Sequence, residues 1–346
     1  MSKIQKLIDA GKISNNSLTN IQPQPQKIIQ VKSKQFIFEP TKPILKWVGG
    51  KTQILEKVIG EFPVIMGNYH EFFTGGGSVL FGFLNLVKLG IIKVNGTINA
   101  YDLNSNLINM YTIIKTQPEK LAKSMGKLIE QYNGIKDNDE TKNKKPKTIE
   151  EALTSKESYY YWIRQKYNLQ FKTKGKLTES NLIDNASMFI FLNKTCFRGL
   201  YRTGPNGFNV PFGHYTNPTI LELSHLKQVS ALIANVNFIH GDFSQSAKNV
   251  QIGDFVYMDP PYAPENSTSF VGYTNGGFDL NTHLKLFEIS NQFKKTGKLF
   301  IMSNSDVKLV RDNFIGYSIE SIECKRTINS KNPGAKTQEV IIKSFD

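Results

Sequence analysis

The 346-residue chain carries 43 Lys and Arg against 29 Asp and Glu, a formal net charge of +14, which favours a polyanionic partner such as nucleic acid through long-range attraction and counterion release. Apolar residues make up 39%, enough for a packed core, but no apolar run is long enough to span a membrane and the first residues lack the apolar core of a signal peptide. Two cysteines, Cys196 and Cys324, give no disulfide framework and fit a reducing compartment.

Residues 1–42 are polar, include "NIQPQPQK" and lack periodicity, so a flexible basic tail is expected. From Pro43 the chain changes character. "NYHEFF" reads as a short strand, "TGGG" as a turn, "SVLFGFLNLVKLG" as an apolar helix and "TINAYDLN" as a second strand. "NLINMYTIIKTQPEKLAKSMGKLIEQYN" is helical, with Pro118 interrupting it. The charged stretch "GIKDNDETKNKKPK" reads as a surface loop, and "SYYYWIRQKYN" and "NLIDNASMFIFLNK" as helices around it. "CFRGLYRTGPNGFNVPFGHY", aromatic, basic and rich in Gly and Pro, reads as a structured loop outside the core.

Regular alternation then returns. "VNFIHGDF" and "GDFVYMDPPY" are strands, "LNTHLKLFEISNQFKKTG" a helix, "KLFIMSNSD" a strand and "VKLVRDNFIG" a short helix. "YSIESIECKR" and "TQEVIIKSFD" look like two closing strands joined by a basic Gly/Pro loop. The tip between Lys325 and Lys336 suits phosphate contact or simple solubility. Strands alternating with helices predict a doubly wound, mainly parallel α/β sheet. The rhythm breaks over residues 116–235, which predicts an inserted domain in a body made of 43–115 and 236–346.

Three motifs carry chemistry. "LKWVGGKT" ends like a phosphate-binding loop, but such a loop needs a glycine where Leu45 stands, and Trp47 would sit inside its cradle. That argues against a nucleotide triphosphatase. Gly75 and Gly77, between a strand and a helix, let the backbone approach a ligand at the helix N-terminus. A dinucleotide fingerprint wants a third glycine where Leu80 stands, which weakens a nicotinamide reading. Asp102, ending the next strand, is placed to accept hydrogen bonds from ribose hydroxyls, so an adenosine-bearing ligand is expected. "DPPY", Asp259 to Tyr262, follows a buried strand. Pro260 and Pro261 stop that strand and remove N–H donors. What remains is a carboxylate and backbone carbonyls beside an aromatic face, an array that suits a planar group bearing an exocyclic NH₂. A rigid turn over a buried Tyr is the plain alternative. The five histidines show no metal-ligand spacing, so no metal is expected.

The trio "LKWVGGK", "FFTGGGS" and "DPPY", in that order and with "CFRGLYR" and "FNVPFG" before the last, resembles the Dam-like DNA adenine-N6 methyltransferases, the D12 class or alpha group. The resemblance spans about residues 43–346. It leaves out the first 40 residues and "KDNDETKNKKPK". It implies a seven-stranded Rossmann-like methyltransferase sheet with an inserted, mainly helical target-recognition domain over 116–235. It also implies methyl transfer from S-adenosylmethionine, without a metal, to N6 of a flipped adenine in double-stranded DNA. The target would be GATC or a related sequence.

By the same resemblance Trp47, Lys51, Phe73, Gly75, Gly77, Asp102, Asp242, Phe243 and Asp259 contact the cofactor, with Asp242 and Phe243 at its adenine. Asp259, Pro260, Pro261 and Tyr262 are catalytic. Lys46 reaches DNA, Arg202 reads a guanine bidentately, Leu200 touches a neighbouring base, Phe197 wedges into the vacated stack, and Pro211 and Tyr215 complete the region. Two departures put the recognised sequence in question: Arg198 stands where the group usually has Asn, and the Arg202–Pro211 spacing is one residue shorter than in the bacterial Dam enzyme. A DNA cytosine-N4 methyltransferase and a non-catalytic DNA-binding protein of the same fold are the alternatives. A monomer acting inside the cell, away from membranes, is expected.

Overall fold

Short β-rich apolar runs bounded by Gly, Pro or Asn become strands here, and longer runs with a 3.6-residue period become helices. The computed structural model describes residues 39–136, 142–172, 178–264, 278–325 and 336–346. The basic tail up to residue 38, part of the charged 134–147 loop and the tip between Lys325 and Lys336 lie outside the described residues.

In chain order the first part gives α1 (Leu55–Gly60), β1 (Ile65–Met66), β2 (Tyr69–Glu71), α2 (Ser78–Lys88), β3 (Lys93–Val94), β4 (Ile98–Asp102), α3 (Ser105–Thr116) and α4 (Pro118–Gly134). Pro118 opens α4 at a position where its missing N–H costs nothing, so the interruption is a junction between two helices. Then come α5 (Ile149–Ala152), α6 (Lys156–Lys172), α7 (Glu179–Thr195), a 3₁₀ turn at Phe197–Gly199, and the hairpin β5 (Thr203–Gly204) with β6 (Gly207–Phe208). Next is α8 (Leu223–Leu232), which the sequence reading missed; it buries only Leu226 and Val229, so its apolar period is faint. The α/β rhythm resumes with β7 (Val236–His240), α9 (Phe243–Ser246), β8 (Phe255–Met258), α10 (Leu280–Lys295), β9 (Leu299–Ser305), α11 (Lys308–Asn313), β10 (Ser318–Lys325) and β11 (Lys336–Lys343).

The main sheet runs β10-β11-β9-β8-β2-β4-β7. The pairs from β9 through β8, β2 and β4 to β7 are parallel. β11 is antiparallel to both β9 and β10. The chain leaves β2 for β4 on one side and reaches β8 on the other only much later. Winding therefore reverses between β2 and β8, and their carboxyl ends are where such sheets bind ligands.

Side chains alternate across the sheet with the strand period of two. On β8, Phe255 and Tyr257 join one cluster with Phe62, Tyr69, Phe83 and Ile301. Val256 and Met258 join the other with Leu286, Phe287, Phe300 and Met302. Burial on both faces explains why "FVYM" is apolar without a break. The first cluster continues into the helical stretch through Tyr132, Tyr159, Phe191 and Leu192, so residues 116–235 share a core with the sheet. Cys196, Phe208, Val210 and Phe212 belong to it as well. The aromatic loop expected to lie outside the core thus turns Cys196, Phe208, Val210 and Phe212 inward, while Phe197, Arg198 and Arg202 stay exposed.

Candidate active site

The glycine turn and the proline-locked strand end lie side by side because β2 and β8 are neighbours. Glu71 pairs with Tyr257, and Phe72 N–H donates to the Tyr257 carbonyl at 3.1 Å. Two residues further on, the chains deliver Thr74-Gly75 on one side and Asp259-Pro260 on the other.

Asp102 ties the glycine turn down. Gly75 N–H donates to Asp102 Oδ2 at 2.9 Å, and Asn104 N–H donates to Oδ1 at 2.8 Å. The Tyr111 hydroxyl donates to the Gly75 carbonyl at 3.0 Å. Gly77, with φ of 77°, caps α2 in the left-handed region that only glycine enters at no cost. Burial raises the Asp102 carboxyl, with these two backbone N–H groups opposing. Each oxygen keeps a lone pair for a further donor.

Asp259 lies against Lys51. The ammonium is 2.8 Å from Oδ2, donates to the Gly49 carbonyl at 2.8 Å, and stands 4.8 Å from the Tyr262 ring centroid. Lys51 is 5% exposed. Asp259 Oδ1 is shielded from solvent and has no hydrogen-bond partner among the described residues. Burial raises the Asp259 carboxyl, and Lys51 opposes that rise. The Tyr262 hydroxyl donates to Glu339 Oε2 at 2.8 Å. Asn304 Oδ1 accepts from Ala263 N–H at 3.0 Å, so β9 and β11 together clamp the turn after β8.

Beyond β7, Asp242 caps α9, its Oδ1 accepting from Ser244 N–H at 2.9 Å. Phe243 packs 5.8 Å from Phe73, and Phe278 lies 5.9 Å from both, forming an aromatic trio near the ends of β2 and β7.

The strap Lys46–Trp47 bridges this region to the 196–215 loop. Asn193 accepts from Lys46 N–H at 2.9 Å and donates to the carbonyls of Lys46 at 2.8 Å and Gly199 at 3.0 Å. Gly199 has φ of 65°, and a Cβ there would come 2.5 Å from Lys46 Cβ, so only glycine lets strap and loop touch. The Lys46 ammonium stands 4.4 Å from the Tyr215 ring centroid, and Phe197 N–H donates to the Pro211 carbonyl at 2.8 Å. Lys46, Phe197, Pro211 and Tyr215 thus share one surface. Leu200 packs on the core cluster, and the exposed Arg202 donates through Nε to Asn209 Oδ1 at 2.7 Å. A cleft of about 870 Å³ opens beside Lys46, Lys194 and Tyr215. Arg198 adopts φ of 56°, a region Asn tolerates far better than Arg. That gives a physical reason for the Asn usual at this position.

Sequence reasoning missed Glu71, Asn193, Phe278, Asn304 and Glu339. Glu71 is 2% exposed and accepts from the Tyr69 hydroxyl at 2.6 Å. Burial pushes its carboxyl up to about 8; the Tyr69 hydrogen bond opposes this and the charge of Asp259 adds to it. A charged residue in the buried strand "YHEFF" was a legible signal. Lys46, which Asn193 binds, and Tyr262, which Glu339 binds, lie 147 and 77 residues away, and local pattern does not show them.

Among the described residues no group of three or more His, Cys, Asp or Glu could hold a metal ion, and no helix is long and apolar enough to cross a membrane.

The mixed α/β fold with its mainly parallel sheet is consistent with a methyltransferase. The pattern of the D12 class N6 adenine-specific DNA methyltransferases matches residues 47–328. The type II methyltransferase M.MjaIII of Methanocaldococcus jannaschii is 35% identical over 303 residues, covering 85% of this chain and 95% of its own length. The type II methyltransferase M1.LlaDCHI of Lactococcus lactis subsp. cremoris is 30% identical over 309 residues, with 88% and 95% covered. The DNA adenine methylase of Serratia marcescens is 28% identical over 302 residues, with 86% and 96% covered. The chain belongs to the D12 class of N6 adenine-specific DNA methyltransferases and is an enzyme. Membership sets aside the non-catalytic alternative, and the adenine specificity of the class stands against cytosine-N4.

Proposed function

We propose that this enzyme methylates N6 of an adenine turned out of duplex DNA, with S-adenosylmethionine as donor and a target containing GATC. The observation that carries this reading is the buried, unpaired Oδ1 of Asp259, set beside Tyr262 and next to the glycine turn. A base inside a duplex does not reach an oxygen so shielded, which is why extrusion belongs to the reading.

The residues present fit the donor. A glycine turn at a helix N-terminus gives close backbone approach, the Phe73–Phe243–Phe278 trio offers an apolar seat for an adenine ring, and Asp102 keeps lone pairs for ribose hydroxyls. Trp47 covers the turn, and Asp242 caps α9 beside the trio. When bound, S-adenosylmethionine would supply a methyl group on a sulfonium, whose sulfur leaves readily as a neutral thioether.

The N6 lone pair of adenine is delocalised into its ring and is a poor nucleophile. Asp259 Oδ1 and the Pro260 carbonyl accept the two N6–H hydrogens, which favours a pyramidal nitrogen with a directed lone pair. Pro260 and Pro261 hold those acceptors rigid, and Tyr262, gripped by Glu339, offers its ring to the base. Burial raises the Asp259 carboxyl and Lys51, 2.8 Å away, opposes that rise, so turnover declines as acid protonates the acceptor. Positioning supplies most of the rate.

We read residues 43–115 and 236–346 as a Rossmann-like methyltransferase body and 116–235 as its target-recognition insertion, with Arg202, Leu200 and Phe197 at the bases and Lys46 and Tyr215 alongside. A net charge of +14 disfavours self-association and suits a monomer on DNA inside the cell.

The test uses labelled S-adenosylmethionine and two duplexes, one with a central GATC and one with it scrambled, followed by identification of the methylated nucleoside. N6-methyladenine in the GATC duplex alone is expected. N6-methyladenine in both removes the site assignment, and N4-methylcytosine removes the assignment of the base. No label from protein that binds the cofactor removes the reading itself.

A further inference from the structure

Tyr201 stands between Leu200 and Arg202, yet its ring faces the opposite way from the expected DNA surface. It stacks on Trp47 at 5.4 Å with 28° between planes, and packs edge-on against Phe189 at 5.6 Å. Trp47 in turn lies directly on the glycine turn. A Cβ on Gly76 would come 2.7 Å from Trp47 Cβ, and one on Gly75 would come 3.1 Å from the indole ring. The Tyr201 hydroxyl faces Tyr167 and the side chains of Asn106 and Asn104. Asn104 caps α3 and follows the strand end whose Asp102 holds the turn by Gly75 N–H. One residue of the recognition loop therefore touches both supports of the glycine turn.

The loop has little freedom to move without Tyr201. Its flank at Arg202 is fixed by Asn209, whose N–H donates to the Arg202 carbonyl at 3.0 Å while its Oδ1 accepts from Arg202 Nε. On the other side Asn193 binds Gly199 and Lys46 together. A push of bound DNA on Leu200 and Arg202 is thus carried through Tyr201 into the Trp47 indole, and from there onto Gly75 and Gly76.

Resting on the proposed reading, we infer that Tyr201 is a positioning residue that couples the two substrates: specific DNA in the recognition loop presses Trp47 onto the glycine turn and tightens S-adenosylmethionine binding, and the cofactor tightens DNA reciprocally. Reciprocity follows because the coupling is one free energy shared by two sites.

The test is calorimetric titration with S-adenosylmethionine, with and without a saturating non-methylatable duplex, for wild type, Tyr201→Phe and Tyr201→Ala, beside thermal unfolding of each. In the wild type the duplex tightens the cofactor by about 5-fold or more, the lower end of ordinary couplings. Tyr201→Phe keeps the stack and restores most of that ratio. Tyr201→Ala brings the ratio close to one, while cofactor affinity without DNA changes less. A Tyr201→Ala enzyme that stays folded and keeps the wild-type ratio overturns the inference. So does one that loses affinity equally with and without DNA. A wild type whose product is N6-methyladenine but whose ratio is one overturns the coupling alone. A wild type that binds no cofactor overturns the proposed function with it.

Discussion

At the carboxyl ends of β2 and β8, Lys51, Glu71, Asp102 and Asp259 are largely withdrawn from solvent and tied to backbone groups, to the Tyr69 hydroxyl or to one another. On the other side of Trp47, Lys46, Phe197, Arg198 and Arg202 stand in solvent on a loop whose backbone is fixed but whose charged ends are not. The contrast suits the work proposed for each face. Stabilising a changing charge requires few waters and groups already in place. Reaching phosphates and base edges requires long exposed cations that reorganise at little cost. The strap Lys46–Trp47 joins the two faces, with the side chain of Asn193 on one side and the Trp47–Tyr201 stack on the other.

Cutting that strap is the harshest way to break the contrast. Asn193→Ala leaves the backbone N–H and carbonyl of Lys46 and the carbonyl of Gly199 without their partner in a buried setting. A loss of about 3 kcal/mol in urea unfolding is expected, with weakened binding to duplex DNA. Stability within about 0.5 kcal/mol of wild type would mean that the faces are joined elsewhere.

The buried charges sharpen it next. Glu71 is raised to about 8 in the folded protein, far above an exposed carboxyl. Folding therefore favours its protonated form: its contribution is complete below the unfolded value and fades as pH rises towards 8. Unfolding midpoints of wild type and Glu71→Gln, followed from pH 5 to 8, should diverge in favour of the variant, by at most about 1.4 kcal/mol per pH unit. Parallel curves would mean that Glu71 titrates like an exposed group.

The smallest effect lies on the exposed face. Arg198 sits at φ of 56°, and Arg198→Asn relieves that backbone, so a gain of about 1 kcal/mol in unfolding free energy is expected. No gain would mean that the guanidinium, 5.1 Å from the Phe197 ring centroid, contributes as much as the strain costs.

The order of strands and helices was legible because "FVYM", "NYHEFF" and "TINAYDLN" are apolar runs closed by Gly, Pro or Asp. The proline pair marked the end of β8 because proline both stops a strand and removes donors. α8 was not legible, since two buried residues in ten leave little periodicity. The Lys51–Asp259 ion pair was not legible, because it joins residues more than 200 apart in sequence. Glu339 and Asn304, which hold Tyr262 and Ala263, act through tertiary contacts that no spacing encodes.

The most direct measurement is single-turnover methyl transfer by Asp259→Ala, with cofactor binding and thermal unfolding followed beside it. A rate at least about 100-fold below wild type is expected, with the folded state retained. A folded variant that keeps more than about a tenth of the wild-type rate would remove Asp259, and the acceptor array built on it, from the centre of the reaction.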